Sequence, residues 1–129
     1  MKYLKRIFVI TDVGFILYWA VTAIGVLPKE WAYHNYKNPI MISWNWSFFP
    51  LDMFISLSGF LCLYYYKKNN DKWRTWCLLS LVFTMSSGVQ AISFWFLTND
   101  YSIFWWVFNL YLIVYPILFI RKILKNELE

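Results

Sequence analysis

Asp52 carries more chemistry than any other residue in this chain. It closes the block Trp44-Asn45-Trp46-Ser47-Phe48-Phe49-Pro50-Leu51-Asp52, and the apolar run continues past it through Ser56 and Gly59. Tryptophans at the head of such a run mark a passage from water into membrane, because amphipathic rings settle at headgroup level. A carboxylate inside the run costs roughly 2.5–3.5 kcal/mol on insertion scales unless a partner or water offsets it. Other segments supply partners. At about 1.5 Å per helical residue, Asp52, Gln90 and Asn109 each fall about 9–10 Å below the outer ends of their segments. Three hydrogen-bonding side chains on three helices then share one level, where such groups turn inward and pair, contributing roughly 0.6–2 kcal/mol each. Two uses follow. One is a polar clamp that fixes the bundle. The other is a small outward-facing cavity with Asp52 as its charge, roofed by Trp44, Trp46 and Trp105, whose faces stack on flat or cationic ligands.

Asp12 is a second acid in an apolar setting, about 8 Å from the inner end of its own segment and far from the level of Asp52. On a helix it shares a face with Trp19 and Ala23. Arg74, Lys67 or the Tyr115 hydroxyl would serve as a structural partner; the functional alternative is a proton- or cation-coupling acid. The remaining reactive residues point to no further chemistry. Cys62 and Cys77 form no C-x-x-C pair, and each reads as a small buried hydrophobe. His34 lies in a loop with only Glu30 near it, so no metal site is expected, and no cofactor motif is present. No second carboxylate, His or Cys shares the level of Asp52, so a nucleophile–base pair cannot be assembled, and the reading leans away from an enzyme.

The elements that hold these residues follow from composition. The chain has 129 residues, 60% hydrophobic and 24% aromatic, with 15% charged, too little charge to cover a water-facing surface. Apolar stretches at about 7–27, 46–66, 75–97 and 102–120 are each long enough to cross a bilayer as helix. A signal peptide is rejected for the first, because it is too long, contains Asp12 and precedes three more such segments. Pro28 stops that first span. Residues 29–45 form the longest connection, rich in aromatics (Trp31, Tyr33, Tyr36), with an Asn38-Pro39 turn signal and an interfacial 39–42 stretch. Pro50 is placed in the first turn of the second span, and Pro116 should kink the fourth.

Ten of the 12 Lys and Arg residues flank the chain ends or the 67–74 connector, leaving only Lys29 and Lys37 on the other side. That bias puts both termini in the cytoplasm. The net charge of +5 is therefore topological rather than a nucleic-acid footprint. The fold class is all-α: an integral membrane four-helix bundle, one domain over residues 1–129. Small residues recur at helical spacing on one face of the first span (Thr11, Gly14, Thr22, Gly25) and of the third (Ser80, Thr84, Ser87, Ala91), which suits close packing. Ser86, Gln90 and Ser93 form a second polar stripe on the third span, which is accordingly expected at the centre.

The W-N-W-S-F-F-P-L-D block at 44–52, preceded by Thr11-Asp12-Val13-Gly14 in the first span, resembles the YvaD-like family of small bacterial membrane proteins. The likeness extends over essentially the whole chain and implies a four-span protein of the bacterial cell membrane; it carries over no catalytic or binding residue. The function read from the residues is a non-enzymatic scaffold, accessory or small-ligand-binding bundle. The alternative is a small transporter of lipophilic or cationic compounds that uses Asp52 or Asp12. The partners implied are the lipid bilayer and either a lipophilic small molecule or another membrane protein.

Overall fold

A computed structural model describes residues 1–25 and 37–128, so Pro28, Lys29, Trp31, His34 and the neighbouring aromatics of the long connection lie outside the described residues. Among the described residues four α-helices follow one another: α1 (Lys2–Ala23), α2 (Pro39–Lys67), α3 (Lys72–Leu97) and α4 (Ile103–Leu124). Each is long and apolar enough to cross a membrane. Large side chains on their outer faces, such as Ile10, Phe54, Val107 and Leu118, are exposed. That is the surface a bilayer covers and water does not.

Two helix starts differ from the sequence expectation. The basic head is the first turn of α1 rather than a tail before it. The second helix begins at Pro39, because Asn38 caps it: its side-chain oxygen accepts from the Ile40 amide at 2.9 Å and proline occupies the first helical position. The Asn-Pro pair is thus a helix start, and Pro50 lies inside α2 instead of in its first turn. At 29 residues, α2 is the longest helix. It measures roughly 43 Å and outreaches a hydrocarbon core of roughly 30 Å.

The helix ends share one device. Asn69, Asn99 and Asn126 have φ of 51°, 55° and 55°, and Gly25 has φ of 73°. After α2, the Asn70 amide donates to the Tyr65 carbonyl and the Asn69 amide to the Tyr66 carbonyl. Asp100 and Asn99 repeat this pattern after α3, and Glu127 and Asn126 after α4. These are Schellman closures, with asparagine taking the left-handed position that few other side chains adopt cheaply. They allow the α2–α3 and α3–α4 connections to be very short, and neighbouring helices to run antiparallel.

Along the bundle, α1 packs on α2, α2 on α3 and α3 on α4. The buried faces of α2 and α3 are the small-residue faces: Ser56, Ser58 and Gly59 on one, Ser80, Thr84, Ser87, Gly88 and Ala91 on the other. A Cβ at Gly88 would stand 2.8 Å from the Asn109 carbonyl oxygen, so α3 and α4 approach closely there. The expected second stripe of α3 faces outward instead. Ser86, Gln90 and Ser93 are exposed, and Ser86 returns its hydroxyl to the Val82 carbonyl of its own helix.

The core has two parts. Leu4, Phe8, Ile55, Cys62, Cys77, Leu81, Leu112 and Ile123 pack densely at the end that holds both chain termini. At that end Arg74 also donates to the Asn126 side chain at 3.0 Å, tying the α2–α3 connector to the tail. The opposite end has a thin cluster around Ala91 and Trp95, with Trp44 and Phe94 against it. Between this cluster and the dense core the four helices line a cavity that opens to the exterior past Ile10 and Phe104.

Candidate functional site

The register between α1 and α2 sets the acids. A seven-residue step from Asp12 to Trp19 on α1 is matched by a seven-residue step back from Gly59 to Asp52 on α2, as two antiparallel helices at heptad spacing require. The lower pair is a contact of side chain on backbone: Asp12 is fully buried and lies over Gly59, where any Cβ would overlap its carboxyl group. The upper pair is a hydrogen bond, in which the Trp19 indole Nε1–H donates to Asp52 Oδ2 at 2.8 Å. Between the two, the Ser56 hydroxyl donates to the Asp12 backbone carbonyl at 2.9 Å.

Asp52 is 5% exposed. Its second oxygen, Oδ1, accepts from the Ser87 hydroxyl of α3 at 3.3 Å. One carboxyl group therefore ties three helices. Both partners are donors, which suits an acceptor-only carboxylate; a hydrogen bond to a charged group is worth about 1.5–3 kcal/mol, and the Trp19 bond is the shorter of the two.

Asp52 and Ser87 also face the cavity, whose volume is about 860 Å³. Its wall is mostly aromatic: Tyr18 and Trp19 from α1, Trp44 and Phe48 from α2, Trp95 from α3, and Trp105, Phe108 and Tyr111 from α4. The rings brace one another across helices. Trp44 stacks on Phe94 at 3.9 Å, and Trp19 lies 5.0 Å from Trp46. Helices α1 and α4 meet here through side chains, by the rings of Tyr18 and Trp105 and of Phe15 and Phe108. The Thr11 and Tyr111 hydroxyls share a hydrogen bond of 3.0 Å across the same gap.

The residues singled out in the sequence fall as follows. Asp52, Asn109, Trp44 and Trp105 line the cavity. Asn109 is buried, but its amide donates back to the Trp105 carbonyl at 2.8 Å rather than across to Asp52. Trp46 is half-exposed and stands one ring further out, against Trp19 and Phe49. Gln90 does not join them. It lies roughly a quarter-turn from the face made by Thr84, Ser87 and Ala91 and is exposed on the outside of α3. The place expected for Gln90 is filled by Ser87.

Asp12 likewise lacks the partners considered for it. Neither of its carboxyl oxygens has a hydrogen-bond partner among the described residues, and the buried Tyr115 hydroxyl has none either. Arg74 binds Asn126 instead, and Lys67 is exposed at the end of α2. Trp19, Ser87, Thr11 and Tyr111 also line the cavity, though the sequence reading did not place them there. A usable signal existed for Ser87, since it sits on the small-residue face of α3. For Trp19 the signal was the seven-residue spacing from Asp12, which places it on the face that meets α2.

A family described as a family of unknown function, DUF5360, matches residues 4–129. The chain is 47% identical over 126 residues to the uncharacterized protein YvaD of Bacillus subtilis (strain 168), covering 98% of this chain and 95% of that one. No solved structure matches it. The chain belongs to the DUF5360 family.

Proposed function

We propose that this family member is a multi-pass protein of the cell membrane, with both termini cytoplasmic, that binds a lipophilic small molecule in the cavity between its four helices. The cavity itself carries the reading. About 860 Å³ of space, walled by aromatic rings and holding one fixed carboxylate, is the size and character of a small-molecule site. A purely structural clamp at Asp52 would need no such space, because two hydrogen bonds already satisfy it. The orientation rests on the basic residues gathered at the end with both termini.

Binding is tested with the full chain in phosphatidylcholine nanodiscs and the neutral lipophilic fluorophore N-phenyl-1-naphthylamine. Saturable binding above that of empty discs is expected. Ala91→Phe, which builds a ring into the cavity from a wall residue, should abolish it while leaving the helical content unchanged. Signal that scales only with lipid, or is unaltered by Ala91→Phe, would remove the cavity as a site.

One observation favours transport as a second reading. Asp12 is buried with both oxygens unpartnered among the described residues, and its neighbour Thr11 lines the cavity. An acid so placed is suited to coupling by taking up and releasing a proton. In proteoliposomes, proton flux driven by a lipophilic cation gradient should then disappear in Asp12→Asn; equal flux in the two proteins would rule coupling through Asp12 out.

A further inference from the structure

We propose that the cavity selects an amphiphilic cation, with an ammonium or other onium head against Asp52 and an alkyl or aryl tail leaving sideways between α1 and α4. The inference rests on the cavity being a lipophile site and adds the chemistry of the ligand and its route.

Charge decides the head. Among the described residues that line the cavity, Asp52 is the only acid and there is no Lys, Arg or His. An anionic head would meet a like charge, with only the neutral Asn45 amide, whose Nδ2 has no partner among the described residues, to offset it. A cation would meet a carboxylate whose two oxygens are held in place by Trp19 and Ser87. Each oxygen accepts one bond there and retains a free lone pair. The surrounding indole, phenol and phenyl faces attract cations as well, and most strongly where water is excluded.

Packing decides the route. The three sequence-adjacent helix pairs pack closely on one another, whereas α1 and α4, the first and last helices, are bridged by rings and by the Thr11–Tyr111 hydrogen bond. Ile10 and Phe104 border the cavity on either side of this seam, yet are 70% and 71% exposed. The same side chains therefore face both the cavity and the exterior. Gly14 also borders the cavity here, and a Cβ on it would meet nothing within 4 Å. A chain of methylenes leaving by this seam would pass directly into the surrounding hydrocarbon.

Competition against the bound naphthylamine fluorophore separates this proposal from the reading beneath it. Dodecyltrimethylammonium, N-dodecylacetamide and dodecyl sulfate share a tail and differ in head charge; each would be titrated into wild-type protein in phosphatidylcholine nanodiscs, with empty discs as the partition control. The cation should displace the fluorophore at roughly tenfold lower concentration than the neutral amide, and the sulfate should be weakest. Asp52→Asn should erase the cation's advantage, and Asp52→Glu should keep it. Equal displacement by all three amphiphiles, or preference for the sulfate, overturns cation selection while the cavity remains a lipophile site. Failure of the fluorophore to bind saturably overturns both. The wild-type comparison decides the question even where the Asp52→Asn protein does not fold.

Discussion

At the scale of single residues, the two aspartates are held in opposite ways, and the difference is testable. Asp52 is satisfied by Trp19 and Ser87. Asp52→Asn retains an oxygen for the indole and should leave the thermal unfolding midpoint in detergent close to wild type. Asp52→Leu strands the indole N–H and the serine hydroxyl, and should cost about 1–3 kcal/mol for each buried group. A midpoint for the leucine variant equal to that of the asparagine variant would mean that Asp52 ties nothing. Asp12 is held by shape, against the bare backbone of Gly59. Gly59→Ala should therefore destabilise by about 1–3 kcal/mol. Beside Asp12→Ala, the same change should cost much less, because the group it overlaps is gone. Additive losses in that double-mutant cycle would contradict the contact.

That Asp52 needs partners was legible in the sequence, since a carboxylate in an apolar run is costly unless paired. The identity of its partners was not. Matching residues by depth leaves rotation about each helix free. Gln90 faces outward, while Ser87, one turn nearer the other end, faces Asp52. Trp19 was hidden for a different reason. An indole in a membrane segment reads first as an interfacial anchor, and only the α1–α2 register turns it into a donor.

At the scale of elements, the four spans were legible because apolar runs longer than about 18 residues have few other uses. Their ends were less so. Asn38-Pro39 reads equally as a turn or as a cap followed by a first-turn proline, and only the hydrogen bond from Ile40 to the Asn38 side chain decides for the cap. Asparagines in K-K-N-N, T-N-D and K-N-E sit in what reads as a polar connector, a tight turn and a charged tail, although three of them close helices at positive φ. This gives a sharp expectation at Asn99. Asn99→Gly should be neutral or slightly stabilising, because glycine adopts this conformation freely. Asn99→Val should cost about 1 kcal/mol or more, because a β-branched residue does not. Thermal unfolding of the two variants would check it, and equal midpoints would mean that the closure after α3 contributes nothing.

At the scale of the whole molecule, the bundle is uneven along its length. One end is densely packed and carries the termini and most of the basic residues; the other opens around an aromatic cavity. The charge asymmetry underlies the proposed orientation. Epitope tags at the N- and C-termini should be reached by antibody only after cells are permeabilised, and labelling of either tag on intact cells would reverse the assignment. The packing asymmetry underlies the proposed function, because a four-helix membrane protein with no ligand has no evident reason to leave this much space around a buried carboxylate.

The measurement that tests this most directly is photolabelling of the protein in native membranes with a hydrophobic diazirine probe, followed by peptide mapping of the modified residues. Trp19, Ser87 and Ala91 line the cavity but are buried from the exterior, whereas Val82, Phe96 and Leu118 are exposed on the outer faces. An occupied cavity should give labels on Trp19, Ser87 or Ala91, competed away by an excess of unlabelled lipophile, over a background on the outer faces that competition leaves unchanged. Labels confined to residues such as Val82, Phe96 and Leu118 would contradict a lipophile site inside the bundle.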